Sequence, residues 1–236
     1  DIIRFLIFFL VKRNREVSAF LVALIIALLF ASQAWGANTI YYVKWDAAGT
    51  GTGLSWTNAK TTIQAGVTAA TAAGDSVEVS GGTSGHTYTE NIDTAAHDHM
   101  IKGSTEAGHK ELVTIDGSGN NDHTVFLNHR TTFQNFKVTG APTGKYNISL
   151  VGQCTLNDID IDGGARGILC YSQSVTRTFT LNRVKVRNVT DTGTAAVYLG
   201  HTVAGNGTFI FNYGEISHNA DVGISLNISN TATFKN

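Results

Sequence analysis

The second half of the chain repeats one spacing of apolar residues. In each repeat a large apolar residue is followed by two more apolar positions, at the third and fifth residues after it, and successive repeats begin 23 to 30 residues apart. Repetition at this period is typical of a solenoid, in which each coil buries its apolar face only against its neighbours. The segments are FQNFKVTG from Phe133, LNDIDIDG from Leu156, LNRVKVRN from Leu181 and FNYGEISH from Phe211.

A second apolar run follows each repeat and alternates with period two. This alternation predicts short strands with one face inward, joined by turns rich in Gly, Asn, Thr and Ser. We therefore predict an all-β fold, a right-handed parallel β-helix with a short N-terminal capping helix. The matching inward pairs are Val125 and Leu127, Ile148 and Leu150, Ile168 and Cys170, Val197 and Leu199, and Ile224 and Leu226.

Amide side chains occupy one column of the aligned repeats. Asn157, Asn182 and Asn212 share the position, with Gln134 before them and Lys235 after. Stacked amides hydrogen-bond from strand to strand as a ladder, so we interpret this column as structural.

The first 36 residues have the order of a secretory signal peptide. Basic residues from Lys12 to Arg15 precede a 14-residue apolar stretch, Val17 to Phe30, and small residues follow as far as Gly36. This stretch suits a signal peptide, whereas a membrane span needs about 20 apolar residues. We therefore expect cleavage before Ala37 and a secreted or cell-surface protein. An uncleaved membrane anchor is the alternative, because a further apolar run precedes Lys12.

These patterns predict three regions. Residues 1–36 form the signal peptide, and residues 1–10 are an upstream extension under the hypothesis that Val11 is the true start. Residues 37–92 form an N-terminal cap with the first strands, and residues 93–236 form the coils. Because the last residues repeat the start of a coil, we expect the chain to be truncated at its carboxyl end.

A short amphipathic helix is predicted in the cap, between Thr57 and Ala73. Apolar residues fall at helical spacing in this segment, Thr57 or Asn58 is the predicted N-cap, and Gly74 is the predicted end. A helix in this position would cover the open first coil, which otherwise exposes apolar surface and unpaired strand edges.

The cap also carries a family resemblance. Its elements Tyr41-Tyr42-Val43, Ser55-Trp56, Ile63-Gln64-Ala65, Ala73-Gly74-Asp75 and Gly82-Thr83 followed by Tyr88-Thr89-Glu90 resemble the amino-terminal region of secreted right-handed parallel β-helix proteins of the pectate-lyase-like superfamily. The resemblance continues through the coils and covers most of residues 41–236. It implies the fold far more than an activity, because the superfamily includes polysaccharide lyases, hydrolases and esterases as well as adhesins and other surface proteins.

The charge balance argues against nucleic acid as a partner. Removing residues 1–36 leaves 13 Lys and Arg residues against 16 Asp and Glu residues. Binding to phosphates needs a clustered basic surface, which this balance does not supply. We expect a polysaccharide or cell-surface glycan as partner instead, with membrane contact only through an uncleaved signal segment.

The cysteines and histidines do not form a metal-binding or catalytic motif. Cys154 and Cys170 are the only cysteines, and Cys170 falls in an inward column where a free thiol packs as a small apolar residue. Export leaves a disulfide between them as the alternative. We predict no metal cofactor, since His97 and His99 lack a third ligand. Calcium is the alternative, because side-chain oxygens between Asp116 and Asp122 fall at alternate positions, as they do in calcium loops. These residues lack the glycine and the glutamate that such a loop requires.

The best candidate site is a pair of charged strands one coil apart. The 25-residue offset that aligns Leu156 with Leu181 places three acids beside three bases, at a strand separation of about 4.8 Å. Lys137 and Glu215 extend the middle column. The candidate residues are Asp158, Asp160, Asp162, Arg183, Lys185 and Arg187.

Two interpretations of these residues remain open. One is a salt-bridge ladder that fixes register, with each pair contributing about 0.2 to 1 kcal/mol. The other is a polysaccharide site, in which Arg183 and Lys185 contact sugar carboxylates and Lys185 is a conceivable base. Hydrolysis through the aspartates is disfavoured, because adjacent cations lower the pKa that a general acid needs raised.

The sequence therefore favours a secreted or cell-surface domain that binds glycans or has an adhesive or structural role. A flat face of Thr, Ser and Asn favours this function. The alternative is a polysaccharide lyase or glycoside hydrolase acting on acidic polysaccharides. No catalytic residue is assigned, and the balance leans against catalysis.

Overall fold

Parallel stacking of strands from successive coils organises this protein. A computed structural model describes residues 38–94, 98–172, 177–193, 195–201, 207–220, 222–226 and 231–235. The predicted signal peptide and its cleavage site, His97 and the final residue Asn236 lie outside the described residues.

The described chain is mostly β, with short strands and one short helix. In chain order the elements are β1 (Ile40–Val43), α1 (Ile63–Ala69), β2 (Ser76–Val79), β3 (His86–Thr89), β4 (Ile92–Asp93), β5 (Met100–Gly103), β6 (Val113–Asp116), β7 (Val125–Leu127), β8 (Thr132–Thr139), β9 (Tyr146–Leu150), β10 (Thr155–Asp162), β11 (Arg166–Ser172), β12 (Thr178–Asn182), β13 (Lys185–Arg187), β14 (Val197–His201), β15 (Thr208–Asn212), β16 (Glu215–Ser217), β17 (Ile224–Leu226) and β18 (Thr231–Lys235).

All strand pairings within the described residues are parallel, and they form two sheets. The first sheet runs β1-β2-β5-β8-β10-β12-β15-β18, and two side branches join it, one through β3 and β6 and the other through β13 and β16. The second sheet runs β17-β14-β11-β9-β7-β4. Neighbouring strands come from successive coils rather than from hairpins, which gives a solenoid-like stack of parallel sheets.

The coil-to-coil register agrees with the sequence repeat. Leu156 lies beside Phe133 on one side and Leu181 on the other, and Phe211 lies between Leu181 and Phe234. In the second sheet the two inward columns predicted from period two are also in register. The predicted alignment of the repeats is therefore confirmed.

Four successive coils, from β8 to β16, bend at a residue with left-handed backbone, and this bend explains the spacing of the apolar repeat. A regular strand would turn the third residue after Leu156 outward. The left-handed residue at the second position reverses this alternation, so that Ile159 points into the core. The bend residues are Asn135 (φ 62°), Asp158 (φ 54°), Arg183 (φ 54°) and Tyr213 (φ 55°).

A second column of bends ends this segment of each coil. Its members are Gly140 (φ 79°), Gly163 (φ 87°), Asn188 (φ 56°) and His218 (φ 53°). Glycine and asparagine tolerate this conformation best, whereas other side chains are strained in it. Each of these coils therefore has two segments on the first sheet and one on the second. Strands β8 and β10 run unbroken through the first bend, whereas β12 and β13, like β15 and β16, are separate strands.

The core is a stack of inward apolar columns enclosed by the two sheets. Phe133 and Phe136 are fully buried and stack with ring centroids 4.4 Å apart, and Phe179 stacks on Phe209 at 5.2 Å. Complete burial of such side chains contributes about 1.5 to 3 kcal/mol each.

Both cysteines lie in this core as free thiols. Burial raises the pKa of Cys154 to about 12 and also raises the pKa of Cys170, so both thiols stay protonated at neutral pH. The interpretation of Cys170 as a core residue is confirmed.

The amide ladder forms as predicted. Asn182 donates from Nδ2 to Oδ1 of Asn157 at 2.7 Å, and Asn212 donates in the same way to Asn182 at 2.8 Å. Lys235 occupies the next position in register, and Oδ1 of Asn212 is buried without a hydrogen-bond partner among the described residues. The ladder thus fixes the coil immediately before each left-handed bend.

The capping helix is present but shorter than predicted. Helix α1 begins after Thr62, whose Oγ1 accepts the N–H of Ala65 at 3.2 Å, and not after Thr57 or Asn58. The Glu90 carboxylate satisfies two more donors of the first turn, at 2.8 and 2.9 Å. Because this partner is 27 residues away in sequence, local capping signals alone place the start incorrectly. The helix ends at Ala69, well before Gly74.

Helix α1 packs on β1, β2 and β4 at the start of the stack. Its Gln64 side chain bonds both backbone groups of Asp93, at 2.7 and 3.1 Å. Ile63 and Val67 turn into the core. Among the residues that the structure describes, no helix is both long and apolar enough to cross a bilayer.

Gly66 sits where α1 approaches the strands most closely, and its replacement is expected to destabilise the protein. A Cβ at this position would lie 2.6 Å from Cγ2 of Val43 and 2.9 Å from Cγ1 of Val77. Alanine favours a helix by up to about 1 kcal/mol, but overpacking against stiff core valines costs about 1 to 3 kcal/mol. We expect Gly66→Ala to lower the free energy of unfolding by about 1 kcal/mol or more, measured by denaturant titration.

The matched control is Thr68→Ala, an exposed position on the same helix, which should change stability by no more than about 0.5 kcal/mol. If Gly66→Ala proved as stable as the control or more stable, the packing of α1 on β1 and β2 would be wrong.

Candidate functional site

The six candidate residues lie together on the outer surface of the first sheet, as the sequence predicted. Asp160 is in register with Lys137 on one side and Lys185 on the other, and Lys185 is in register with Glu215. We call this surface the charged face. Its members are Lys137, Asp158, Asp160, Asp162, Arg183, Lys185, Arg187 and Glu215.

Two ion pairs on the charged face run diagonally rather than straight across. Nη2 of Arg187 donates to both carboxylate oxygens of Asp160, at 2.8 and 2.7 Å, and Nζ of Lys137 lies 3.1 Å from Asp162. The sequence predicted pairing of Asp160 with Lys185. The backbone register of that pair is confirmed, but the side-chain partner of Asp160 is Arg187, two residues beyond Lys185, because its guanidinium reaches back along the strand to both carboxylate oxygens.

Asp158 and Arg183 form a separate pair at the first bend of the coil. The guanidinium binds the carboxylate through two bonds, Nε to Oδ1 at 2.5 Å and Nη2 to Oδ2 at 2.7 Å. Both residues have left-handed backbones and lie on adjacent coils. The two-bond geometry orients both bends, although both side chains are about half exposed, which limits the pair to a modest contribution.

Three carboxylates of this face are held ionised. The bond from Arg183 lowers the pKa of Asp158. Bonds from Asn188 and then Lys137 lower the pKa of Asp162, and the bond from Ser217 lowers the pKa of Glu215. A general acid needs the opposite shift, so these groups are unsuited to protonating a leaving group at neutral pH.

Lys185 differs from the other cations of the face. Its side chain is exposed and makes no salt bridge or hydrogen bond to any residue that the structure describes. Among the six candidate residues it is therefore the one whose charge is available to a ligand. The two arginines are already committed to aspartates.

Threonine side chains form a second regular surface beside the charged face. Thr132, Thr155 and Thr180 are in register on successive coils, and Thr178 is in register with Thr208. Phe179 and Phe209 point inward between them and fix the outward direction of the threonines. This surface presents partly exposed hydroxyl groups at strand spacing, which suits hydrogen bonding to a polar polymer.

An aromatic cluster near the N-terminal end was missed by the sequence reasoning. Trp56 stacks on His109 at 3.9 Å and donates from Nε1 to Glu106 at 2.8 Å, while Trp45 stacks on His86 at 4.0 Å. These contacts join residues that are 41 to 53 positions apart, so no local pattern reveals them.

The same cluster is packed tightly against the backbone. A Cβ at Gly82 (φ 67°) would lie 2.4 Å from the Trp45 ring. The cluster therefore fastens the segment between β1 and α1 onto the first coils.

The part of the chain that the structure describes contains no group of three or more His, Cys, Asp or Glu residues placed to hold a metal ion. In the segment from Asp116 to Asp122, the two aspartate carboxylates accept hydrogen bonds from nearby backbone N–H groups. Asp116 accepts the Ser118 N–H at 2.9 Å, and Asp122 accepts the His123 N–H at 2.8 Å.

Comparison of the chain with protein-family models, with curated proteins and with solved structures finds no match.

The diagonal geometry of the charged face predicts which side chains are energetically coupled. In a double-mutant cycle on unfolding, Asp160→Asn combined with Arg187→Gln should show a coupling of about 0.5 to 1 kcal/mol. The matched cycle with Lys185→Gln should show no coupling beyond experimental error. Equal couplings, or a larger one to Lys185, would mean that the straight pairing predicted from sequence is correct.

Acid should weaken the charged face. Because the pKa values of Asp158 and Asp162 are lowered by folding, the unfolded chain takes up protons first as the pH falls through about 4. The stabilisation is therefore complete at neutral pH and is lost as the pH falls toward the folded-state pKa values. We expect the stability difference between wild type and Asp162→Asn to shrink between pH 7 and pH 3, measured by urea unfolding. A difference that stays constant over this range would contradict the ion-pair assignment.

Proposed function

We propose that this chain is an exported β-helix domain that binds glycans at the cell surface or outside the cell, in an adhesive or structural role. The proposal joins two arguments. One concerns the fold that presents the surface, and the other concerns the chemistry that the surface offers.

The fold argument rests on the stacking. Coils of 23 to 30 residues with parallel pairings favour a parallel β-helix over a sandwich, which would need antiparallel hairpins. Right-handed coiling is proposed because parallel crossover connections are almost always right-handed. The resemblance of the cap and coils to the pectate-lyase-like superfamily supports the same fold, and with it a secreted location.

One observation favours binding over catalysis: every aspartate of the charged face is already bonded to Arg, Lys or Asn. Arg187 binds Asp160, Arg183 binds Asp158, and Asn188 binds Asp162 at 2.7 Å. A carboxylate in this state neither donates a proton nor is free as a nucleophile without breaking its ion pair. The face is then suited to holding a polymer along its regular array of charges and hydroxyl groups.

The charged face also limits which glycans it attracts. Four cations and four anions alternate on it, so its net field is small and anionic polymers are not drawn to it strongly. Exposed Lys185 provides a local contact for a sugar carboxylate, but that contact is screened by salt.

A lyase acting on acidic polysaccharides is the second candidate, and the exposure of Lys185 favours it. Proton abstraction beside a uronate carboxylate needs one base and a cation to stabilise the developing charge. Lys185 would be the base, and Arg183 or Arg187 would have to release its aspartate to serve as the cation.

The test combines turnover and binding on the intact chain. We expect no release of unsaturated uronate absorbance and no new reducing ends from pectic, alginate or glycosaminoglycan substrates, with or without calcium. In affinity gel electrophoresis we expect retardation by at least one soluble glycan. Retardation by anionic glycans should be weak and should vanish in about 1 M salt, where the Debye length is about 3 Å.

Two results would count against the proposal. Turnover that disappears in Lys185→Ala would place the lyase first. Absence of retardation by every neutral and acidic glycan tested would remove the glycan-binding role and leave a structural one.

A further inference from the structure

A groove on the second sheet lies away from both the charged face and the threonine surface. It has a volume of about 430 Å³ and is lined by Asn91, Ile92, Asp93, Asp122, His123 and Phe126. Pockets that hold small organic ligands have volumes of about 300 to 1,000 Å³, so one or two sugar rings fit.

An aromatic ring lies on one side of the groove. Phe126 points outward from β7 beside Asp93 of β4, and its ring is only partly buried. His123 lies nearly parallel to it, with ring centroids 6.4 Å apart and planes at 16°. The negative face of an aromatic ring attracts weakly positive hydrogens, such as the C–H groups on the flat side of a pyranose.

The histidine presents one donor to this space. Nδ1 of His123 accepts the backbone N–H of Tyr146 at 3.0 Å, which assigns the proton of the neutral ring to Nε2. Burial lowers the pKa of His123, so the ring is neutral at physiological pH. His123 therefore offers a directional N–H and no positive charge.

The remaining polar groups are acceptors. Asn91 lines the groove, but its Oδ1 is buried and has no hydrogen-bond partner among the described residues, so a ligand in the groove does not contact that oxygen. Oδ1 of Asp122 accepts from Lys145 at 3.0 Å, and its side chain is 72% exposed. Asp93 supplies a second carboxylate at the edge of the groove.

These groups select by charge. The Asp93 carboxylate disfavours an anionic ligand, which would lose its hydration beside it. Lys145 neutralises Asp122, and Asp191 binds the nearby Arg166 at 2.6 Å, so one carboxylate gives only a weak field for a cation. A hydroxyl-rich, uncharged ligand bonds the Asp93 carboxylate and the His123 donor together.

We propose that this groove binds a neutral pyranose residue of a glycan chain, with the sugar ring against Phe126 and its hydroxyl groups bonded to Asp93 and His123. The inference rests on the proposed glycan-binding function and names its site and ligand class. It separates the binding of neutral sugars in the groove from the weak, salt-sensitive contact of acidic sugars with Lys185.

The experiment measures affinity of the intact chain for soluble neutral glycans (dextran, laminarin, galactomannan and xyloglucan) and for polygalacturonate, by affinity electrophoresis and calorimetry. We expect binding to at least one neutral glycan that persists in about 1 M salt, because screening acts on charges and not on stacking. Phe126→Ala should weaken this binding about tenfold or more.

The matched control is Leu169→Ala, which occupies the same outward column of the second sheet two coils away. It should change affinity less than about twofold, within the range of neutral contacts. Free glucose, galactose, mannose and xylose are tested beside the polymers. Tighter binding of a polymer than of its monosaccharide is expected, and equal binding per site would overturn the assignment to a glycan chain.

A second variant keeps the proposal testable if Phe126→Ala unfolds, which circular dichroism would reveal. Asp93→Asn removes a charge at nearly constant shape and should alter neutral-glycan affinity without creating tight binding of polygalacturonate. Neutral binding that both variants leave intact would overturn the groove while the proposed function stands. Binding of polygalacturonate alone would overturn the neutral ligand class. Binding of no glycan at all would remove both the groove and the proposed function.

Discussion

The parallel, in-register stacking of coils is the constraint on which the rest of this structure depends. A single coil has no core of its own, because its few inward side chains are buried only when the next coil covers them. Phe133, Leu156, Leu181 and Phe211 form one such continuous column, and its register fixes where every outward residue lies. A slip of one residue would turn each inward side chain outward, so the apolar columns specify the surface as strictly as they specify the core.

The bends between strand segments are energetically unfavourable. Left-handed backbone at Asp158, Arg183 and Tyr213 is unfavourable for residues other than glycine, by about 1 to 3 kcal/mol each. The neighbouring amides offset part of this unfavourable free energy, since hydrogen bonds of 2.7 and 2.8 Å join Asn157, Asn182 and Asn212. The bidentate pair between Asp158 and Arg183 acts at the same place. Polar residues that resemble a binding site thus have a structural task, which weakens any argument that assigns them chemistry from their charge alone.

The outer surface divides into regions of different chemistry as a result. On the first sheet the charged face is satisfied internally, apart from Lys185, and the threonine surface offers only hydroxyl groups. On the second sheet the groove combines the aromatic ring of Phe126 with polar side chains such as His123 and Asp93. Our proposal places an uncharged ligand there, because a partly apolar pocket with a few polar groups suits such a ligand. The extended surfaces are better suited to orienting a polymer than to holding it tightly.

The sequence by itself determined the strand columns, their parallel register and the amide ladder, because all three follow from a repeat whose period equals one coil. It also brought the six charged residues to one face, and it placed Cys170 in the core. Only the tertiary structure decided which charges pair, since the reach of Arg187 across to Asp160 depends on side-chain conformation and not on register. The start of α1 was likewise not predicted correctly, because Glu90 caps it from the bend between β3 and β4, 27 residues away. The groove and the aromatic cluster were also invisible to sequence, since Asn91, His123 and Phe126, like Trp56 and His109, meet only when separate coils and turns are folded together. A repeat encodes what is the same in every coil, whereas each of these sites is built from what differs between coils.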